Sequence, residues 1–166
     1  MTQSHQTHDT WIILGATSTL ARDFARSLAA DGAALILCGR DTADMAASAA
    51  DAEARGAASA QVMAFDARDP ATFTPILDAA ATAPGAINCA VFVGSMPDQV
   101  LIDADPALVD GTIADSFTGP ARFLTMLAPM LEDRESGAIV GISSVAGDRG
   151  RPGNNVYGAA KAGFTT

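Results

Sequence analysis

Trp11-Ile-Ile-Leu-Gly15-Ala-Thr-Ser-Thr-Leu-Ala21 is the stretch on which the fold turns. Four apolar residues stop at a glycine, three small residues follow, and a helical pattern runs from Thr19 to Ala30, closed by Asp31-Gly32. A strand that turns through glycine straight into a helix is the opening unit of an α/β sheet. The first turn of such a helix leaves backbone N–H groups unpaired, and its dipole favours an anion such as a pyrophosphate. Gly15 supplies the tight turn, while Thr17 and Ser18 offer hydroxyls either to a phosphate or to the loop itself.

The same alternation continues outward from this unit. Residues 34–38 (Ala-Leu-Ile-Leu-Cys) read as the second strand, ending at Gly39-Arg40-Asp41, with Asp41 placed to cap an alanine-rich helix reaching Arg55. Residues 61–65 are the third strand, followed by Asp66 and a helix entered through Asp69-Pro70. The fourth strand covers residues 87–93 and ends at Gly94. Asp105-Pro106 then opens a long helical stretch to about Glu132, with Gly111, Gly119 and Pro120 as irregularities. Residues 138–142 are the fifth strand, and a last helix starts near Asn154 or Asn155. Strands that are apolar throughout, rather than alternating, belong to a parallel sheet covered on both faces. Right-handed crossovers and the position of the first loop predict a Rossmann-like, doubly wound α/β fold of about five strands in the order 3-2-1-4-5.

Composition narrows the function classes. The chain of 166 residues is one domain by size, 49% hydrophobic and 17% charged, with a net charge of −9. That balance argues against nucleic acid and anionic membrane surfaces as partners. Residues 1–9 are polar, lack a signal-peptide pattern and are expected to form a disordered tail ahead of a single domain over 10–166. The expected location is the cytoplasm, and no metal site is expected. Cys38 and Cys89 fall on strands flanking the first, roughly 9–10 Å apart by sheet spacing. A disulfide needs Cα atoms within about 7 Å, so two buried free thiols are expected.

Tyr157-Gly-Ala-Ala-Lys161 carries the strongest chemical signal. Residues four apart on a helix share a face, one turn from each other. An ammonium there favours the phenolate, which suits the phenol to proton exchange with a carbonyl or an alcohol. These are the chain's only tyrosine and only lysine. Ile142-Ser143-Ser144-Val145-Ala146-Gly147 follows the fifth strand, with Ser144 thirteen residues before Tyr157.

Together these blocks resemble the short-chain dehydrogenase/reductase family, and the resemblance covers nearly the whole chain. Gly15 to Ala21 is similar to that family's Gly-x-x-x-Gly-x-Gly loop, with Thr19 and Ala21 in place of two glycines. The resemblance implies an NAD(P)-dependent oxidoreductase that interconverts a ketone or aldehyde and an alcohol by hydride transfer. Tyr157 would be acid and base, Lys161 its partner, and Ser144 the residue that orients the substrate carbonyl. Gly15, Thr17, Ser18, Thr19, Leu20, Asp66, Ala67 and Gly94, with Tyr157 and Lys161, would hold the cofactor. Arg40, following Gly39 where an NAD-preferring site places an acid, favours NADP(H) over NAD(H). A small-molecule substrate and a homo-oligomer are also implied.

Two matches are partial. At the family's Asn-Asn-Ala-Gly the chain reads Val91-Phe92-Val93-Gly94, so only the glycine agrees. Ser116 stands where the family has a relay asparagine; its hydroxyl can hold a water but lacks the amide. Asp148-Arg-Gly-Arg151 and Asn155-Val-Tyr-Gly158 are similar to a subset of the family that includes a keto-sugar reductase. Because the family continues past the position of Thr166, the chain is read as truncated before the usual substrate-binding part, with the fifth strand left as an edge. The alternative reading is a nucleotide-binding or interaction fragment that does no chemistry.

Overall fold

A computed structural model describes residues 8–166; most of the expected N-terminal tail, residues 1–7, lies outside them. Five parallel strands form one sheet in the order β3-β2-β1-β4-β5, as the alternation of apolar runs and helices predicts. They are β1 (Thr10–Leu14), β2 (Ala34–Gly39), β3 (Ser59–Ala64), β4 (Ile87–Val91) and β5 (Ile139–Gly141).

Two helices cover one face: α1 (Thr19–Ala30) and α2 (Thr42–Ala54). Strand periodicity sorts the core between the two faces. Ile13, Leu35 and Leu37 point to α1 and α2, against Ala21, Ala25, Ala29, Met45 and Ala49. The alanines carry no bulk, so these helices lie close and are stitched by Arg22–Asp44 and Arg26–Asp51 ion pairs. Both helices are capped: Asp41, as expected, accepts from Asp44 N, and Ser18, which the sequence offers to a phosphate or to the loop, accepts from Ala21 N.

The opposite face is aromatic. Ile12, Leu14, Ile36 and Val91 pack on Phe65, Phe73, Phe123 and Leu127, contributed in part by α3 (Phe73–Thr82) and α6 (Gly119–Arg134). β3 runs 59–64, two residues earlier at its start and one earlier at its end than the apolar run suggests, so Phe65 joins this cluster from just beyond the strand. Arg134 binds α3 and α6 together by donating to the carbonyls of Ala80, Ala81, Ala83 and Gly85 at the end of α3. A cation there meets the negative end of the helix dipole.

The single long helix expected after Asp105 is divided. Two short helices, α4 (Gln99–Ala104) and α5 (Ala107–Ile113), lead into a π-turn over Ala114–Thr118 before α6. Gly119 lies against the loop after β3, where a Cβ would come within 2.3 Å of the Ala67 carbonyl oxygen. Close backbone approach accounts for the irregularity expected at that glycine. After β5 come a one-turn helix α7 (Val145–Asp148) and then α8 (Asn155–Thr165). Neither α4 nor α7 has a sequence signal strong enough to predict it. β5 ends the sheet, with Ile139 and Val140 exposed.

Both cysteines are free and buried. Cys38 pairs opposite Leu14 and Cys89 opposite Ile12, on the two sides of β1. Burial pushes both thiols up, Cys89 to about 12. Folding therefore favours the protonated thiols. Stability is unaffected by these thiols below the ordinary value of 9.0 and falls as pH rises above it, for Cys89 up to about 12. Ellman's reagent is expected to label neither thiol in the folded protein and both in denaturant. Rapid labelling of native protein would contradict this packing.

Candidate active site

The strands all end on one side of the sheet, and their following loops enclose an open groove. Gly15 takes a positive φ of +82°, and a Cβ there would sit 3.0 Å from the Phe92 carbonyl carbon beyond β4. Glycine is thus required both for the turn and for the approach of the two loops. The N–H groups of Gly15 and Ala16 both donate to the Cys38 carbonyl, which ties the loop to the end of β2. Arg22 donates from Nε to the Thr17 carbonyl, at 3.1 Å, and so closes the loop onto α1.

Of the residues expected to hold a cofactor, Gly15, Thr17, Ser18, Arg40, Asp66, Ala67 and Gly94 line this groove. Thr19 and Leu20 do not; both face solvent, Leu20 at 65% exposure. Of the two hydroxyls offered by the loop, Ser18 caps α1. Thr17 is exposed at the groove. Gly39 is buried, and a side chain there would press on the Met45 thioether, 3.1 Å from an added Cβ. Arg40 beside it is exposed and, among the described residues, makes no ion pair.

Lys161 lies just beyond the Val93–Gly94 end of the groove. Its ammonium is buried and donates to the carbonyls of Val93, at 3.1 Å, and Ile142, at 3.0 Å. These carbonyls terminate the regions of β4 and β5, so one cation spans the two strand ends. Phe164 lies under it, with the ring centroid 5.1 Å from Nζ. Burial pulls the Lys161 ammonium below the ordinary lysine value. Gly94 lies directly above: a Cβ there would meet Nζ at 3.4 Å. The groove and the lysine are therefore neighbours.

Tyr157 precedes Lys161 by one turn of α8 and is half-buried. Helices α7 and α8 touch through glycine: a Cβ on Gly158 would fall 2.7 Å from the Ala146 carbonyl oxygen, and one on Gly147 2.8 Å from Ala162 N. This contact sets the turn capped by Ser144 against the turn carrying Tyr157. Ser144 Oγ accepts from Ala146 N, at 3.2 Å, which leaves its hydroxyl proton free. Ser143 instead turns to the backbone of Lys161 and to Thr165.

Two consecutive residues of the π-turn act on different loops. Ser116 is fully buried; its hydroxyl accepts from Ser95 N at 3.0 Å and donates to Ser95 O at 3.2 Å. The hydroxyl proton and one lone pair are thus spent on the loop after β4, so this side chain clips that backbone to the π-turn. Asp115 lines the groove, and sequence reasoning missed it. It accepts two bonds from Arg68, at 2.8 and 2.7 Å. Phe92 and Val93 were likewise missed as lining residues; their position next to Gly94 was the available signal.

Residues 9–166 match the family model described as short chain dehydrogenase. An uncharacterized oxidoreductase of Mycobacterium tuberculosis is 35% identical over 92% of this chain and 61% of its own length. The dehydrogenase/reductase SDR family member 7B of Mus musculus is 32% identical over 90% of this chain and 48% of its own. The chain thus spans about half to three-fifths of the length of these curated relatives. Among solved structures, a short-chain dehydrogenase from Sphingobium yanoikuyae in complex with NADPH superposes with a TM-score of 0.84. It is 25% identical, over 93% of this chain and 61% of that one.

Proposed function

The chain belongs to the short-chain dehydrogenase/reductase family, and on that premise we propose that it carries the nucleotide groove and proton-transfer centre of an NADP(H)-dependent carbonyl reductase or alcohol dehydrogenase. The observation that carries this reading is the placement of Lys161: a buried ammonium fastened to two strand-end carbonyls, under the glycine that floors the end of the groove. A bound nicotinamide nucleotide supplies or accepts the hydride.

Tyr157 delivers its phenolic proton to the carbonyl oxygen as the alcohol forms, and takes it back in the reverse direction. Lys161, one turn further along α8, is its cationic partner. Ser144, whose hydroxyl proton is free, donates to the same substrate oxygen and fixes its direction. Gly15 and Thr17 receive the pyrophosphate at the start of α1. Asp66 and Ala67 flank the adenine, and Arg40 pairs with the 2′-phosphate. The last assignment draws support from Gly39, which leaves no room for the acid of an NAD-type site without displacing Met45.

Titration with NADPH and NADH, followed by nucleotide fluorescence, tests the cofactor assignment. Arg40→Ala is expected to weaken NADPH about tenfold, the scale of a charge-assisted bond, and to leave NADH nearly unchanged. Equal losses for both nucleotides would remove Arg40 from the 2′-phosphate site. A ketone screen then separates an enzyme from the alternative, a fragment that binds nucleotide without turnover.

A further inference from the structure

Arg68 and Asp115 are 47 residues apart and form a two-bond ion pair that uses both carboxylate oxygens. The carboxylate is one-tenth exposed and lines the nucleotide groove; the guanidinium is half exposed. Both carboxylate oxygens are used, one by Nε and one by Nη2. Such a fork fixes the guanidinium plane as a single bond could not. The plane also has a seat. A Cβ on Gly111 would meet Nη2, Cζ and Nη1 of Arg68 at 2.8, 3.0 and 3.2 Å. Three nearly equal distances mean that the guanidinium lies face-on over that glycine, and half of the Arg68 side chain remains exposed on the sides turned away from it.

The fork stands beside the part of the groove formed by Asp66 and Ala67, which immediately precede Arg68 in the chain. The Asx turn in which Asp66 Oδ1 accepts from Arg68 N, at 2.9 Å, holds the two ends of this segment together. A carboxylate lining a site for a polyphosphate ligand would repel it unless neutralised, and Arg68 neutralises Asp115. A planar cation with one free face is in turn a stacking surface for an aromatic ring.

We propose that the Arg68–Asp115 fork is the outer wall of the purine subsite, with Asp115 holding the guanidinium flat over Gly111 so that its free face stacks on the adenine ring. This rests on the dinucleotide reading above. It adds a specificity-determining residue, Arg68, and a positioning residue, Asp115, to that site.

The test uses 5′-AMP and 5′-UMP, which share phosphate and ribose and differ in the base, together with NADPH, by calorimetry on the whole chain. Arg68→Ala is expected to weaken AMP and NADPH about tenfold and to bring AMP down toward UMP. Arg68→Lys keeps the charge without the plane and is expected not to restore the preference. Gly111→Ala keeps both charges, displaces the guanidinium and is expected to repeat the loss. That variant decides the matter if Arg68→Ala melts at room temperature. An unchanged AMP-to-UMP ratio in Arg68→Ala or Gly111→Ala overturns the proposal, as does full recovery with lysine. Failure of the wild-type chain to bind AMP or NADPH at all is a different result. It removes the dinucleotide reading, and this inference with it.

Discussion

Tyr157→Phe is expected to lower kcat/KM for carbonyl reduction by about 10²–10⁴-fold, the usual worth of a positioned general acid, with NADPH affinity unchanged. The substitution keeps the ring in the half-buried face of α8 and removes only the hydroxyl. No second phenol is present in the chain to replace it. The neighbouring Lys161 is held in place by the Val93 and Ile142 carbonyls, which leave one of its three N–H donors free. Steady-state kinetics beside NADPH titration distinguish the outcomes. Turnover within a few-fold of wild type would remove Tyr157 from proton transfer. Parallel loss of NADPH binding would mean that the hydroxyl shapes the groove and is not specific to the chemical step.

The second large effect concerns stability. Phe123→Ala is expected to destabilise the fold by about 3–5 kcal/mol, the range for truncating a buried aromatic. Phe123 is fully buried and meets Phe65 and Phe73 edge-on at centroid distances of 5.7 and 5.6 Å. Phe65 and Phe73 stack on each other at 5.2 Å. Removing the third ring opens a cavity among rigid partners that cannot collapse to fill it. At this chain length each kcal/mol lowers the melting temperature by about 2–4 °C, so a fall of roughly 6–20 °C should be seen. Guanidinium unfolding with an unchanged slope would measure the loss directly. Because Phe65 also lines the nucleotide groove, nucleotide affinity should fall in the same variant. A cost below about 1.5 kcal/mol would show a loosely packed cluster, able to relax as volume-conserving swaps do.

Much of the fold is legible in the amino-acid sequence. The boundaries of α1, the cap at Asp41 and the strand order rest on local signals: apolar run length, helix-stop pairs and the handedness of crossovers. That Gly15, Arg40, Asp66 and Gly94 line one groove follows from strand ends, which mark the loops that meet above a parallel sheet. Thr19 and Leu20 were assigned by motif alone and turn to solvent, since a helix places successive residues on different sides.

The order of elements, the two covered faces of the sheet and the residue types at each strand end were determined by the sequence alone, because each depends on neighbours a few positions away. Tertiary structure decided which loops touch. It set Asp115 on Arg68 and Ser116 on Ser95 through a π-turn whose phase no periodicity reveals. It required Gly119 for the nearness of Ala67, and fastened Lys161 to two carbonyls from different strands. Those contacts join residues 19 to 68 positions apart, and their geometry follows from the packing of the sheet rather than from any local preference.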